Sequence, residues 1–365
     1  MINRIVQDGM NVKRKSLRVL YLTGPGTFTT QKTRLSKMGI AKKSPFDAAM
    51  ASMKPYSVAV EFMALKSWNF LSWPAQALKA LFYLDKYDVV FTPGLFLVPP
   101  RILLRWKKPR LLVLIERLRT NTASDRVLLP IIRSCIRKID RTLCLSSLQV
   151  NSHSSDLKIS TNKIVSAHYG IDAEFFGPEI SQNEGFILCV GDAFRDDATL
   201  IRATEGMPVK VVRVSDNLKA VKNFRKLLDA LSDSSSRKAQ FISLCGINDF
   251  QLKKLYAKSA LIIVCIRSKT NQPAGLTALL EGMAMGKPVI VTKSLASKDY
   301  VIDGKTGIII EPGNSAQLQR VISKLLDDPL NCRRLGLAAR KSVEENFTIE
   351  NLTANLVNVL FKSVS

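Results

Sequence analysis

No two cysteines of this 365-residue chain stand in a CxxC pair. The six are scattered, and Cys144, Cys189, Cys245 and Cys265 lie in apolar runs, where a free thiol behaves as a small hydrophobe. That spacing excludes a zinc ribbon and a disulfide scaffold, and it points to a reduced, cytoplasmic protein. Paired D-x-D carboxylates are missing too, and with them a simple clamp for a hard divalent cation. Long apolar runs are absent. The most apolar uncharged run, Val89 to Pro100, contains prolines and is shorter than the roughly 20 residues that span a bilayer. The opening MINRIVQDGMNVKRK has no apolar segment, which predicts no secretory leader. Acidic residues are scarce: 30 Asp and Glu face 54 Lys and Arg, for a net charge of +24. Residues 1–180 hold 28 of the basic and only 12 of the acidic side chains. A nucleic acid, an anionic membrane surface or an acidic polymer would each suit that balance.

What is present describes a folded protein. Hydrophobic residues make up 46% and charged ones 23%, and the length exceeds what one growing core supports. Two domains are expected, over 1–176 and 185–345, with a polar linker at 177–184 and a terminal helix over 346–365 that can pack back toward the first domain. Leu17 to Thr23 reads as a buried strand entering Gly24, Pro25, Gly26 and Thr27. Tyr87–Thr92, Leu111–Ile115 and Thr142–Leu145 read as further strands, and Ala75–Lys86 as a helix with Pro74 in its first turn. Two basic clusters lie between them: Arg101, Arg105, Lys107, Lys108 and Arg110, then Arg133, Arg137, Lys138 and Arg141 on a helix from about Ser124. A second alternation follows, with strands at 186–190, 209–214, 241–244 and 261–266. Asn248 or Asp249 can cap one helix, and Asn314 with Gln317 forms a capping box for another. Strands alternating with helices argue for parallel sheets covered on both faces.

The richest stretch is Thr270–Thr292, TNQPAGLTALLEGMAMGKPVIVT. Leu276, Leu279, Leu280 and Met283 recur at helical spacing, Gly286 suits a left-handed helix stop, and Pro288–Thr292 reads as a strand. The free N–H groups behind Gly275, at Ala274 to Thr277, form an anion site at a helix start. Thr277 and Glu281, four apart, share a face that is expected to lie away from the apolar one. A plain helix–strand unit with Glu281 solvated is the competing reading.

Four passages together resemble one family. They are GIDAEFF before the linker, VGDAFRD, CGIND, and GLTALLEGMAMGKPVIVT with VIDGKTGIIIEPG. They look like a GT-B glycosyltransferase of the family 4 (group 1) type, specifically over about Ile164 to Asp328 and only architecturally before that. The resemblance implies an α/β fold of two Rossmann-like domains facing each other across a cleft, with a nucleotide-diphosphate sugar held by the second. It implies that Glu281 accepts hydrogen bonds from the ribose. It implies that the N–H groups of Leu276, Thr277 and Ala278 face the diphosphate and that Arg195 neutralises it. Gly191, Gln272 and Gly275 join that site, and Gly246, Ile247, Asn248 and Asp249 line the base pocket. On the acceptor side stand Gly24, Gly26, Thr27 and Glu116, the last also readable as a solvated strand-end glutamate. No metal or other cofactor is expected, and the anomeric configuration would be retained. Two departures stand out. The first glutamate of the family's E-x7-E pattern is replaced by Pro273, and between Asp197 and Ala203 only Arg202 offers a second cation. The two histidines, His153 and His168, fall outside the position expected of an acceptor-domain histidine.

Other classes compete: a sugar-nucleotide epimerase, a catalytically silent GT-B protein, or a nucleic-acid-binding protein. The last lacks an RNP-like aromatic strand, zinc-finger spacing and a basic recognition helix. Trp68, Phe70, Leu71 and Trp73, near Lys79, either pack as core or dock at the inner face of a membrane where a lipid-linked acceptor would sit. Flotation with anionic vesicles separates the two. Docking predicts binding at low salt that is released by added salt, and no binding at low salt removes the membrane reading.

Overall fold

The computed structural model describes residues 16–23, 45–64, 84–92, 110–114, 139–231, 238–267, 273–294 and 296–364. In the first half, β1 (Leu17–Thr23) is followed by α1 (Pro45–Ala51), β2 (Val58–Ala64), β3 (Val89–Thr92), β4 (Arg110–Leu114), β5 (Arg141–Cys144), α2 (Ser147–Leu157) and β6 (Ile164–Ser166). The strands form a parallel sheet ordered β2-β1-β3-β4-β5-β6. Val19, Leu20, Leu22, Val89, Val90 and Phe91 are fully buried, as expected of strands covered on both faces. Tyr21 meets Phe62 edge-on at 5.4 Å and lies 5.2 Å from Phe91, which in turn lies 6.3 Å from Phe46 of α1.

The second half continues with β7 (Ile187–Val190), α3 (Asp197–Thr204), β8 (Lys210–Ser215), α4 (Leu218–Leu231), β9 (Gln240–Cys245), α5 (Asp249–Lys258), β10 (Leu261–Val264) and α6 (Leu276–Ala284). It ends with β11 (Val289–Thr292), α7 (Ser297–Tyr300), β12 (Ile308–Ile310), α8 (Ser315–Leu326), α9 (Pro329–Asn346) and α10 (Ile349–Val364). Its sheet is ordered β12-β11-β10-β7-β8-β9 and is parallel throughout. Strands β7, β10 and β11 are buried along their whole length, whereas the edge strand β9 is half exposed. By internal contacts the chain divides into one unit of residues 1–144, 153–167 and 352–365, and a second of 145–152 and 168–351. Within the first unit, the Thr353 hydroxyl of α10 lies 3.5 Å from the Ala49 carbonyl.

Three strands escape the sequence pattern. β2 sits inside a longer apolar stretch, β6 has three residues, and β12 follows directly on a turn-rich passage. The capping box of α8 is also only half formed. Asn314 Oδ1 accepts from Gln317 N at 2.9 Å, but Gln317 Oε1 accepts from Glu311 N at 2.8 Å instead of from the Asn314 amide. Several expectations lie outside the described residues: Gly24, Gly26, Thr27, Glu116 and Gln272, the aromatic group Trp68–Trp73 with Lys79, and the helix from Ser124. Of the helix expected over Ala75–Lys86 only 84–86 is described, as a single 3-10 turn. Of the two basic clusters, only Arg110 and Arg141 are described.

One buried charge in the first unit has a measurable consequence. Asp47, in the first turn of α1, is completely buried. Burial pushes its carboxyl up from 3.8 to about 6, with a hydrogen bond from Tyr21 pulling the other way. The folded state therefore holds this proton more tightly than the unfolded chain does. The stability it contributes is fully present below about pH 4 and is lost as pH rises through about 6, a difference of roughly 3 kcal/mol. Asp47→Asn is expected to flatten that slope in urea melts between pH 4 and 8 and to raise stability at pH 8 by about 1–3 kcal/mol. An unchanged slope would show that Asp47 does not carry it.

Candidate functional site

In the second unit the strand order reverses between β7 and β10, and ligands of open α/β sheets bind at the carboxyl ends of strands beside such a reversal. The loop leaving β7 is stitched across that point. Gly191, at φ +98°, turns the chain outward, and its N–H donates to the Val214 carbonyl at 3.0 Å. Arg195 and Ile266 then form an antiparallel bridge, flanked by Asp196 N to Cys265 O at 3.0 Å and Arg267 N to Phe194 O at 2.9 Å. Arg267 Nε adds a bond to the Arg195 carbonyl at 2.9 Å, and the Thr292 hydroxyl accepts from Ile266 N at 3.0 Å. The end of β8 and the segment after β10 thus hold the loop, and β11 braces that segment in turn.

The Arg195 side chain turns inward from that loop and is 6% exposed. Its Nε donates to the Val190 carbonyl at 2.9 Å, and Nη2 donates to the same oxygen. Nη1 is buried and has no hydrogen-bond partner among the described residues. Two left-handed glycines make room for the guanidinium. A Cβ on Gly191 would stand 2.6 Å from Nη2, and one on Gly275 would stand 2.7 Å from Nη1 and 2.6 Å from Val264 Cγ1. The free end of the guanidinium therefore abuts the N-cap of α6. Burial, then the charge of Arg213, lowers the Arg195 pKa from 12.5 to about 10, which leaves it cationic at neutral pH.

Arg213 is a second cation that the forward search from Arg195 misses, because it comes from β8. It is 2% exposed, pairs with Asp197 at 2.8 Å through Nε, and donates to the Val214 carbonyl at 2.7 Å. Its signal in the sequence is an arginine inside the apolar run VVRVS. Between Asp197 and Ala203 only Arg202 offers a cation, and it is exposed on α3, but Arg195 does not stand alone: Arg213 is near enough for its charge to act on it. The loop's aspartates are committed. Asp192 accepts from Ser215, Asp196 caps α3 at Thr199 with 3.1 Å to its N–H, and Asp197 holds Arg213. Burial pushes the thiols of Cys189 and Cys265 up to about 12, so neither is a nucleophile.

At α6, Gly275 is the N-cap at φ +80° and supplies no side-chain acceptor. The first intrahelical bond runs from Leu279 N to Gly275 O at 3.0 Å, so the N–H groups of Leu276, Thr277 and Ala278 have no partner within the helix. The expectation that Thr277 and Glu281 share a face away from the apolar side fails at Glu281. Glu281 is 1% exposed, and every residue of α6 except Thr277 is buried. The reason is that α6 is covered on several sides. Its C-terminal turn meets α9, where a Cβ on Gly336 would stand 2.0 Å from the Gly286 carbonyl, and α5 lays Tyr256 against it. The Tyr256 hydroxyl donates to Glu281 Oε2 at 2.8 Å. Nothing in the sequence singles out Tyr256, which reads as one more core position of α5 beside Leu252.

Part of the sequence and the fold as a whole match known proteins. Residues 221–342 match the family described as glycosyl transferases group 1. The chain carries a group 1 glycosyl transferase domain. Among relatives, the MMP alpha-(1->4)-mannosyltransferase of Mycolicibacterium hassiacum is 25% identical over 240 residues, which cover 63% of this chain and 56% of that one. The chain thus spans about half the length of that relative. Among solved structures, sucrose-phosphate synthase from Thermosynechococcus elongatus superposes with a TM-score of 0.76 at 15% identity, covering 95% of this chain and 98% of that one. Anabaena HepE in complex with UDP and glucose gives 0.69 at 15% identity, covering 94% and 99%. Likeness at these identities establishes the fold, which is GT-B.

The structure brings Gly191, Arg195 and Gly275 together around one buried guanidinium, at the start of the helix whose first amides belong to Leu276, Thr277 and Ala278 and which carries Glu281 one turn on. Arg195 and Arg213 precede the matched region, while Tyr256, Gly275 and Glu281 fall inside it. Gly246, at φ +71°, leads into α5, where Asn248 caps Gln251 N at 2.9 Å and Gln251 returns the bond to Asn248 N at 2.9 Å. That side chain is therefore used in capping, and its neighbours Gly246 and Ile247 are the open part of this stretch. Gly275→Ala is expected to displace the guanidinium, because both the backbone angle and the space require glycine. A lower Tm by several degrees and at least a tenfold weaker affinity for a nucleoside diphosphate should follow. Wild-type affinity in Gly275→Ala would show that Arg195 does not face the ligand.

Proposed function

We propose that this chain transfers a sugar from a nucleotide-diphosphate sugar to a glycan or lipid-linked acceptor, with retention at the anomeric carbon and without a metal ion. The observation that carries this reading is the buried Nη1 of Arg195, without a partner among the described residues, set against the Gly275 N-cap from which the N–H groups of Leu276, Thr277 and Ala278 follow. A desolvated cation and a helix N-terminus form one anion site, and a low-dielectric setting strengthens both. The bond between the anomeric carbon and the diphosphate oxygen breaks, and the charge left on that oxygen falls to Arg195 and these amides. Arg213 stands behind as a second positive charge. Glu281 accepts from the ribose hydroxyls, which fixes the nucleoside one helical turn from the diphosphate. The acceptor falls to the first unit, and a membrane-bound acceptor would use its basic excess.

The relatives support a nucleotide sugar as donor: one is named a mannosyltransferase, and one structural neighbour holds UDP and glucose. Pro273, where the resemblance leads one to expect a carboxylate, leaves the sugar unassigned. Calorimetry and thermal shift with UDP-, GDP- and dTDP-sugars test the reading. One nucleotide family should bind, Arg195→Ala should lower turnover by about 100-fold, and EDTA should leave activity intact. No heat and no thermal shift with any donor would end the transferase reading. Donor binding without turnover on any acceptor would favour a silent GT-B protein.

A further inference from the structure

The Glu281 carboxylate has a built support. Tyr256 comes from the core face of α5 and is fully buried, with the ring of Phe176 packed edge-on at 6.2 Å. Its hydroxyl donates to Glu281 Oε2 at 2.8 Å and stands 3.4 Å from the Ala278 carbonyl. One phenol therefore ties α5 to the Glu281 carboxylate and lies beside the turn that carries the free N–H groups. A buried phenol without a partner is costly, and so is a buried carboxylate without a donor. The pair meets both needs. It also removes side-chain freedom that a solvated glutamate would have to give up on binding. Burial and the neighbouring Glu281 carboxylate push the phenol well above its usual value, so it remains a donor through the neutral range.

We infer that Tyr256 is a positioning residue for ligand recognition: by holding Glu281 Oε2 it orients the carboxylate toward the ribose hydroxyls, so discrimination for those hydroxyls runs through Tyr256. This rests on the reading of Glu281 as the ribose acceptor. A site built to hydrogen-bond a hydroxyl rejects the analogue that lacks it only while its own polar groups are fixed. A carboxylate released from Tyr256 can turn away and lose that preference, even though the rest of the nucleotide still binds.

The test is the ratio of affinities for a ribonucleoside diphosphate and its 2′,3′-dideoxy analogue, using UDP and GDP pairs, measured by calorimetry on the full chain. Wild-type protein should favour the ribose form by about tenfold. In Tyr256→Phe the ratio should fall to about two, with affinity for the dideoxy form unchanged. Glu281→Gln should lower the ratio as well. A Tyr256→Phe protein that binds both ligands more weakly but keeps the wild-type ratio would overturn the proposal, because a merely structural role weakens both alike. If the wild type does not discriminate, the reading of Glu281 fails, and the proposal fails with it. Should circular dichroism show Tyr256→Phe unfolded, Glu281→Asp withdraws the carboxylate from the phenol while keeping its charge. An unchanged ratio there would overturn the proposal equally.

Discussion

The second unit depends on a guanidinium seated between two glycines that must remain glycines to make room for it. Arg195 fills the space that Gly191 and Gly275 leave open, and both glycines take backbone angles that L side chains rarely adopt. The consequences spread outward. Gly275 must begin α6, so the helix has no side-chain cap, and its first amides are left for the cation's neighbourhood. The loop after β7 must stay closed enough to keep Arg195 inward, which explains why three hydrogen bonds join it to the segment after β10 and another ties Gly191 to β8. A freely mobile loop at that point would let the arginine swing into water.

Burying charge is expensive unless it is paired, and the unit pairs most of its charge. Arg213 has Asp197, Glu281 has Tyr256, and Asp196 is used as a cap. Against that background the one buried donor of Arg195 with no partner is conspicuous. Leaving such a group unpaired costs about 1–3 kcal/mol, more for a charged one, and Arg213 adds repulsion. An unmet donor next to unmet helix amides is more economically explained by a ligand than by packing. Under the proposed reading, a bound diphosphate relieves that cost.

The sheets were legible because strands covered on both faces leave uninterrupted apolar runs. Ile187–Val190, Leu261–Val264 and Val289–Thr292 each read as strands without help from elsewhere. Segments that break this rule were harder to see. β2 carries Glu61 on an exposed position within a longer apolar stretch, and β6 and β12 are three residues each. The helix start at Gly275 was readable from the glycine and the spacing that follows. The environment of Glu281 was not, because helical periodicity gives one buried face, whereas α6 is enclosed by α5 and α9 as well as by the sheet. Arg213 and Tyr256 were invisible for a related reason. Each reaches its partner across 16 or 25 residues of chain, through a contact made only by the sheet order and by the packing of α5 on α6.

The replacement at Pro273 then takes on a definite meaning under the proposed reading. The groups assigned to the nucleotide, Arg195, Glu281 and the amides of α6, are buried or backbone and are fixed by the core. Pro273 is half-buried two residues before the N-cap, and it offers neither a carboxylate nor an N–H. It does offer a fixed φ, which limits the ways the chain can enter the left-handed Gly275. Exchanging a carboxylate for proline therefore gives up an acceptor for sugar hydroxyls and gains rigidity just before the anion site. Nucleotide recognition and sugar recognition are separable on these terms. The first is set by packing around one arginine, and the second must draw on groups other than the side chain at 273.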